Sequence, residues 1–402
     1  MSDFPVYTRT AAMEPLLPVH QGARLAELSK ALMLKIGRIS GQVHSPLVRE
    51  KIAILVRQMN CYYSNLIEGH KTVPRDIERA LRQDYSNDLV QRDNQKLSQA
   101  HIEVETLMVK RLKAEDVEIY APEFITWLHR EFYQRLPKSM RQAKTKTTEL
   151  YPIMPGAFRD YMVDVGHHTP PYFESVPTFI ERFCSYYGGA EIYETHRLIA
   201  IAAAHQRLGW IDPFGDGNGR VMRLYSHAML VHHGLDGDGL WTLSRGLARH
   251  KKRYYAALEG ADQTRQGDRD GRGNLSDRGL ASFCDFFLQT MVDQVDFMSD
   301  KLDLPGLRVR IERFFQLEML HLGKDADFLM RVVRALADEG GFSRAQVQMI
   351  TGRKETFCRR IIQLGLKEGV IESPSPKGQL QIAFPAKVLE SYFPKLFLDL
   401  DA

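Results

Sequence analysis

DPFGDGNGRVMR, residues 212–223, is the stretch that decides the reading of this 402-residue chain. Three glycines at alternate positions, Gly215, Gly217 and Gly219, let the backbone turn sharply and approach a ligand closely. The helical pattern that follows, Arg220–His233, brings unpaired N–H groups and the positive end of a helix dipole to the loop. Such a loop is an anion nest. Arg220 and Arg223 lie three residues apart, share one helical face and can clamp two phosphate groups. Asp216 offers a hard oxygen ligand for Mg²⁺, the usual companion of a polyphosphate. For a bare GxGxG, a tight turn with two surface arginines is the better reading. The whole string is far more specific.

Outward from this loop the pattern is helical almost throughout. On its N-terminal side, 3.6-residue periodicity predicts helices over Glu191–Leu208, Val176–Tyr187, Pro122–Arg135, Asp93–Leu112, Arg75–Gln83 and Leu47–Leu66, the last closed by Gly69. Another starts at Ala23, with Leu25, Leu28, Leu32 and Ile36 on one face. Residues 1–20 carry three prolines and little periodicity, and read as an arm laid over the surface. On the C-terminal side helices are expected over Arg253–Leu258 and Leu280–Leu302. Between them Asp262–Asn274, rich in glycine and charge, reads as a mobile loop. Residues 144–176 break the rhythm, and the alternating stretch Tyr161–Val165 predicts a β-hairpin or flap.

Pro305 marks a plausible domain boundary. Beyond it come an amphipathic segment, Phe328–Leu336, a short helix Ser343–Ile350 with Ser343 as its N-cap, a Thr351-Gly352 turn and a second helix, Glu355–Glu368. Two strands are expected at Val370–Ser373 and Gln379–Phe384. Helix–turn–helix plus hairpin resembles a winged-helix domain. Arg353, Lys354, Arg359, Arg360 and Lys367 suit a helix lying in the major groove of duplex DNA. A protein-interaction winged helix suits them equally, because Glu355, Glu368 and Glu372 dilute the charge. The expected organisation is an arm (1–20), an N-terminal helical region (21–115), a core (116–303) and the winged helix (304–402).

Bulk composition adds boundaries. An apolar fraction of 44% and a charged fraction of 26% are those of a soluble globular protein. A net charge of +4 is too even to imply a nucleic-acid partner by itself. The four cysteines are far apart and form no CxxC pair, which argues against a zinc site or disulfide framework and for buried, reduced thiols. The N-terminal segment has no basic stretch followed by an apolar one, and no apolar run approaches the ~18 residues of a membrane span. No membrane association and a cytoplasmic location are expected.

The string at 212–223 resembles the Fic family motif, HPFx(D/E)GNGRxxR. Every defined position matches except the first, where Asp212 replaces histidine. Pro213 matches, Phe214 would anchor the loop, and Asp216 corresponds to the metal-binding acid. Gly217, Asn218 and Gly219 correspond to the phosphate cradle, and Arg220 and Arg223 to the arginines of the following helix. The preceding AAHQRLGWIDPF, with His205 read as a buried structural residue, is similar to the family's preceding helix. SRGLARHKKRYYAALEGAD, with Tyr254, Tyr255 and Leu258, is similar to the YYxxL helix beside the nucleotide base. Residues 156–171 sit where the family has the flap that aligns a protein target as an added strand. Upstream, Ser64-Asn65-Leu66-Ile67-Glu68-Gly69 resembles the inhibitory signature (S/T)xxxE(G/N), which alone is weak.

The resemblance covers roughly residues 45–300. It implies a mainly α-helical fold with one short flap hairpin, and AMP transfer from ATP, with Mg²⁺, to a protein hydroxyl. It implies that Glu68 pairs with Arg223, occupies the γ-phosphate position and holds ATP unproductively. Family members often form homodimers.

Asp212 is the departure. The family's histidine takes the proton of the attacking hydroxyl. Reference pKa values of ~3.9 for Asp and ~6.5 for His, with a Brønsted slope of roughly 0.5, make the basicity handicap only about twentyfold. Burial would shrink it. The shorter side chain and its charge beside a triphosphate matter more. Three readings stand: a pseudo-transferase that binds nucleotide, DNA or another partner without turnover, as a silent regulator; altered, metal-assisted phosphate chemistry using Asp212 and Asp216; or an engineered inactive form of an ordinary AMP transferase. His167 and His168, in the flap, are read as surface residues rather than substitute bases.

Overall fold

Helix follows helix along the apolar spacing in the computed structural model of the protein, which describes residues 7–144, 150–163, 168–189, 192 and 196–398. In chain order the helices are α1 (Gly22–Gln42), α2 (Pro46–Ile67), α3 (Pro74–Leu81), α4 (Leu89–Ala114), α5 (Pro122–Gln134), α6 (Val176–Tyr187), α7 (Arg197–Ile211) and α8 (Asn218–His232). They continue as α9 (Ser244–Arg249), α10 (Lys251–Asp262), α11 (Asp277–Lys301), α12 (Leu304–Glu318), α13 (Asp325–Glu339), α14 (Gln346–Thr351), α15 (Glu355–Lys367) and α16 (Ala386–Tyr392). Strands are few: β1 (Gln142–Lys144), β2 (Leu150–Pro152), β3 (Gly341–Phe342), β4 (Ile371–Glu372) and β5 (Leu380–Ile382). The mainly helical expectation holds. The chain divides into two compact units.

The first unit comprises residues 1–34, 60–236 and 243–293. Its centre is α7, whose stretch Leu198–Ala204 is apolar on every side, and such a stretch can only be buried. Leu198, Ile201, Ala202, Ala203, Ala204 and Ile211 are all fully buried. The alanine run keeps the helix slim enough for α6 and α8 to pack against it. At the end of α2, Gly69 takes a φ of +86° and closes the helix, as its position predicts.

Three expectations change here. The N-terminal arm does not merely lie over the surface: Met13 and Leu16 are buried. Its backbone is held too, by Arg207, which donates to the Pro15 carbonyl at 2.9 and 3.0 Å, and by the Tyr187 hydroxyl, which donates to Leu16 O at 2.7 Å. The segment after Asp262 is a tied loop. Thr264 and Leu275 form an antiparallel bridge, and Asp270 accepts the N–H groups of Gln266 and Arg278, both at 2.9 Å. Aspartate caps its own turn, which composition cannot reveal. Finally, the hairpin pairs β1 with β2, Ala143 opposite Tyr151, upstream of the predicted alternation. Tyr161–Val163 forms no strand, and Asp164 and Val165 lie outside the described residues.

The second unit comprises residues 35–59, 237–242 and 294–402. Pro305 stands in the first turn of α12, where a missing N–H costs nothing, and Asp303 caps that helix by accepting from Gly306 N at 2.8 Å. Helix α13 packs on α12, α14 and α15. β3, β4 and β5 form an antiparallel sheet in the order β3-β5-β4, with Phe342 opposite Leu380 and Ile371 opposite Ile382. Gly352, at φ +65°, makes the turn between α14 and α15. Ser343 does not cap α14 as predicted. Instead its N–H donates to Gln346 Oε1 at 2.8 Å, and the helix begins at Gln346.

Candidate functional site

Helix α7 stops at Asp212, which adopts the left-handed conformation (φ +47°, ψ +62°) and is only 7% exposed. A non-glycine residue there is uncommon, and aspartate is among the few that tolerate it. The chain then crosses Pro213–Gly217 and re-enters helix at Asn218, with Gly217 at φ +81°. Asn218 ties this turn: its Oδ1 accepts from Phe214 N at 2.9 Å and its Nδ2 donates to Phe214 O at 2.8 Å. The first N–H groups of α8 have no partner within their own helix.

Helix α5 holds the loop from outside. Phe214 is fully buried and stacks on His129 at 3.9 Å with an interplanar angle of 1°. The Tyr133 hydroxyl donates to Asp216 Oδ2 at 2.6 Å. Phe132 lies under the Arg220 guanidinium at 5.5 Å. These residues recur at spacings of three and four, so one face of α5 makes all the contacts.

Arg223 is 6% exposed, and the end of α2 surrounds it. Its Nε donates to Ser64 Oγ at 2.9 Å, and one terminal nitrogen donates to Ser64 O at 3.1 Å and Glu68 Oε1 at 2.6 Å. Arg220 donates to Asn65 Oδ1 at 3.4 Å. Burial pushes the Glu68 carboxyl up, but Arg223 and Arg220 outweigh it and hold the group below its ordinary range. Gly219 makes room for this pair: a Cβ there would collide with Glu68 Oε1 and sit 3.2 Å from Arg223.

The segment after β2 is bolted to the loop by Arg159. Its Nε donates to Asp212 O at 2.9 Å, and its two terminal nitrogens donate to Tyr161 O at 3.1 Å and Pro171 O at 2.5 Å. Its own N–H donates to Pro213 O at 3.0 Å. His168 is half-buried, and its Nε2 donates to Trp210 O at 2.7 Å. This corrects the expectation of a surface flap residue. His167 lies outside the described residues.

Several of these groups line one cavity of about 380 Å³, a size suited to a small-molecule ligand. Asp212, Asn218, Gly219, Arg223 and Glu68 form part of its wall, and His168, Trp210, Tyr254, Tyr255 and Leu258 another part. Tyr254 is buried and bonds His205 Nε2 at 2.8 Å, while His205 Nδ1 meets Ser226 Oγ at 2.8 Å. His205 is therefore the buried, bonded residue that its position predicts. Tyr255 is 43% exposed, and its hydroxyl donates to Ile67 O at 3.4 Å. Burial pushes the Asp212 carboxyl up to about 7; Arg159 opposes the rise, and Asp216, Asp262 and Glu68 add to it.

The donor set fits Mg²⁺ shared with a polyphosphate. Asp216 is exposed, and Tyr133 occupies only one of its oxygens. Among the described residues no group of three or more His, Cys, Asp or Glu is placed to enclose a metal by itself. An ion that keeps its waters and borrows phosphate oxygens needs only one such carboxylate.

Asp212, the nest and both arginines lie inside a longer stretch, residues 119–230, that matches the Fic/DOC family. The chain carries a Fic domain. It is 31% identical over 112 residues to the protein adenylyltransferase Fic of Aedes aegypti, a match covering 28% of this chain and 21% of that protein. Over 83 residues it is 37% identical to the protein of the same name from Drosophila erecta, covering 21% and 17%. The match thus spans about a fifth of the length of these curated relatives. The fold is similar to the crystal structure of a Fic family protein from Desulfovibrio desulfuricans (TM-score 0.50, 16% identity, 89% of this chain and 96% of that one). It is also similar to a Fic domain containing signaling protein from Bacteroides thetaiotaomicron (TM-score 0.52, 18% identity, 69% and 96%).

The Fic motif and the Ser64–Gly69 segment, some 150 residues apart in sequence, meet around Arg223. Arg159 and Tyr133 carry the Fic loop on their side chains, and neither stands out in the sequence. Arg159 is one arginine among many in a loop, and Tyr133 reads as a core aromatic. All four cysteines are buried free thiols, as expected. No described helix is long and apolar enough to cross a membrane.

Proposed function

We propose that this Fic domain transfers AMP from ATP to a hydroxyl of a protein target, with Glu68 as its brake and Asp212 as its base. The observation that carries this reading is the 2.6 Å Glu68–Arg223 pair at the mouth of the α8 nest, in the same cavity as Asp212. The nest, Arg220 and Arg223 bind the phosphates, and the aromatic wall takes the base. Asp216 would hold Mg²⁺ together with the nucleotide, and the ion would supply neutralisation of phosphate charge there. The target hydroxyl oxygen bonds to the α-phosphorus, the bond to pyrophosphate breaks, and the hydroxyl proton passes to Asp212. A carboxyl raised to about 7 matches a general base working near neutrality. The flap at 156–171, whose described residues 156–163 and 168–171 are tied to the loop by Arg159, is the surface along which the target chain is read.

Incubation with α-labelled ATP and Mg²⁺ tests this, comparing the chain as it stands with Glu68→Gly, Asp212→His and the double variant. Label on protein with Glu68→Gly alone establishes Asp212 as a working base. Label only after Asp212→His shows a Fic transferase silenced by aspartate, and the site then serves nucleotide sensing. No label in any variant overturns the reading.

For the second unit, the order α13-β3-α14-α15-β4-β5 supports a winged helix. We take it to face protein rather than duplex DNA. Arg359 and Arg360, on α15, pair with Glu355 at 2.5 Å and Asp325 at 2.7 Å. A salt-sensitive mobility shift on duplex DNA would refute that choice.

A further inference from the structure

A buried carboxylate outside the cavity takes no part in phosphate binding or proton transfer. Glu105, on α4, is 2% exposed and is not among the residues that line the cavity. Its Oε2 accepts from Asn60 Nδ2 of α2 at 2.7 Å and lies 3.4 Å from His101 Nε2, one turn back on α4. Its Oε1 lies 3.2 Å from His227 Nδ1 of α8. Burial pushes this carboxyl up, but His101 and His227 outweigh it and hold it well below its ordinary range. A charge taken out of water is costly, and apolar side chains of similar size would join three helices at least as stably. Buried polar groups are best attested where they fix the register of packed helices.

Register matters here. Asn60, Ser64 and Glu68 recur every four residues and so share one face at the end of α2. Arg223 and His227 have the same spacing on α8. Two polar contacts therefore lie along one seam, about 6 Å apart on α8. At the cavity end Ser64 and Glu68 hold Arg223. At the far end Glu105 stands between Asn60 and His227. All of these residues belong to the first compact unit. Apolar packing alone tolerates a slide of α2, and a slip of one residue turns Glu68 by about 100° about the helix axis. We propose that Glu105 is a positioning residue for the brake: by joining Asn60 to His227 it locks the register of α2 on α8, and with it the Glu68–Arg223 pair. The proposal rests on the reading of Glu68 as a brake given above.

Calorimetry with ATP and Mg²⁺ on the full chain tests it as a double-mutant cycle: the chain as it stands, Glu105→Leu, Glu68→Gly and the two together. Glu105→Leu is expected to tighten ATP binding by about threefold or more, although it touches nothing in the cavity. With Glu68 already replaced by glycine, the same substitution is expected to change affinity by less than about twofold. A residue that only holds the fold together would weaken binding in both backgrounds. His227→Phe, at the half-buried edge of the cluster, should follow the same pattern, and it decides alone if Glu105→Leu does not fold. An equal gain with and without Glu68 overturns the proposal, because the effect then bypasses the brake. No gain from either substitution, where Glu68→Gly alone gives one, overturns the latch and leaves the brake standing. No gain from Glu68→Gly removes the brake itself, and the latch falls with it.

Discussion

Glu68 and Arg223, 155 residues apart in sequence, share a 2.6 Å ion pair whose arginine is nearly buried and whose carboxylate is 28% exposed. Arg223 keeps Ser64 as a second partner, so removing Glu68 does not leave it buried and unpaired. Glu68→Gly is accordingly expected to raise affinity for ATP by about tenfold, the range of one charge-assisted hydrogen bond. Calorimetry with and without the substitution decides it, and equal affinities would remove Glu68 from control of the site. The depressed Glu68 carboxyl adds a pH signature. The pair persists above the usual carboxylate range and weakens only as pH falls through the lowered folded-state value.

Asp212 shows the opposite sign. Its folded-state pKa, about 7, lies above that of the unfolded chain, so the folded protein binds the extra proton. Stability should fall as pH rises from about 4 to about 7, by on the order of 4 kcal/mol for this group. Asp262, also pushed up to about 7 by burial, falls in the same window. Asp212→Asn should therefore raise Tm at pH 8 and change it little at pH 4. Catalysis has the reverse slope: transfer by the Glu68→Gly protein should rise with pH through about 7, as the base ionises. A flat profile in both experiments would place Asp212 outside the chemistry.

Arg159 offers a third check. Its buried guanidinium satisfies three carbonyls, and alanine would strand them. Arg159→Ala is expected to cost about 2–4 kcal/mol. Faster amide exchange should concentrate in residues 156–163 and 168–172 and in the Fic loop rather than spread evenly. Uniform exchange would show that the clamp is not local.

Gly217 is conformationally committed. Its φ of +81° is strained for other residues, and a Cβ would lie 2.7 Å from the Tyr133 ring and hydroxyl. Gly217→Ala should lower stability by about 1–3 kcal/mol and displace Tyr133 from Asp216. Tyr133→Phe in the same background should recover part of the loss, since only the ring then remains in conflict. No recovery would mean that backbone strain alone sets the cost.

The helices were legible wherever an apolar face met a defined end. Val176–Tyr187 follows its pattern to the residue, because Pro177 opens it and Gly188 closes it. Helix α10 was read short, since its first and last turns are exposed and charged and only Tyr254 and Ala261 are buried. The hairpin at 142–152 has three residues per strand, too few for any alternation to register. In the site, residues that form contiguous motifs were readable. Those that act through distant carbonyls were not. Arg159 reaches Asp212 and Pro171, and His168 reaches Trp210 across 42 positions, with no trace in local sequence.

The bare Cα of Gly219 has one more consequence. The volume that a Cβ at position 219 would take is already filled by the Glu68 carboxylate, and in the proposed function a phosphate competes for the same place. No side chain placed there keeps the carboxylate out while admitting the nucleotide. If Glu68 is the brake proposed above, an escape from inhibition has to arise on α2 or at Glu68 itself, because any side chain at position 219 meets the carboxylate and the cradle together.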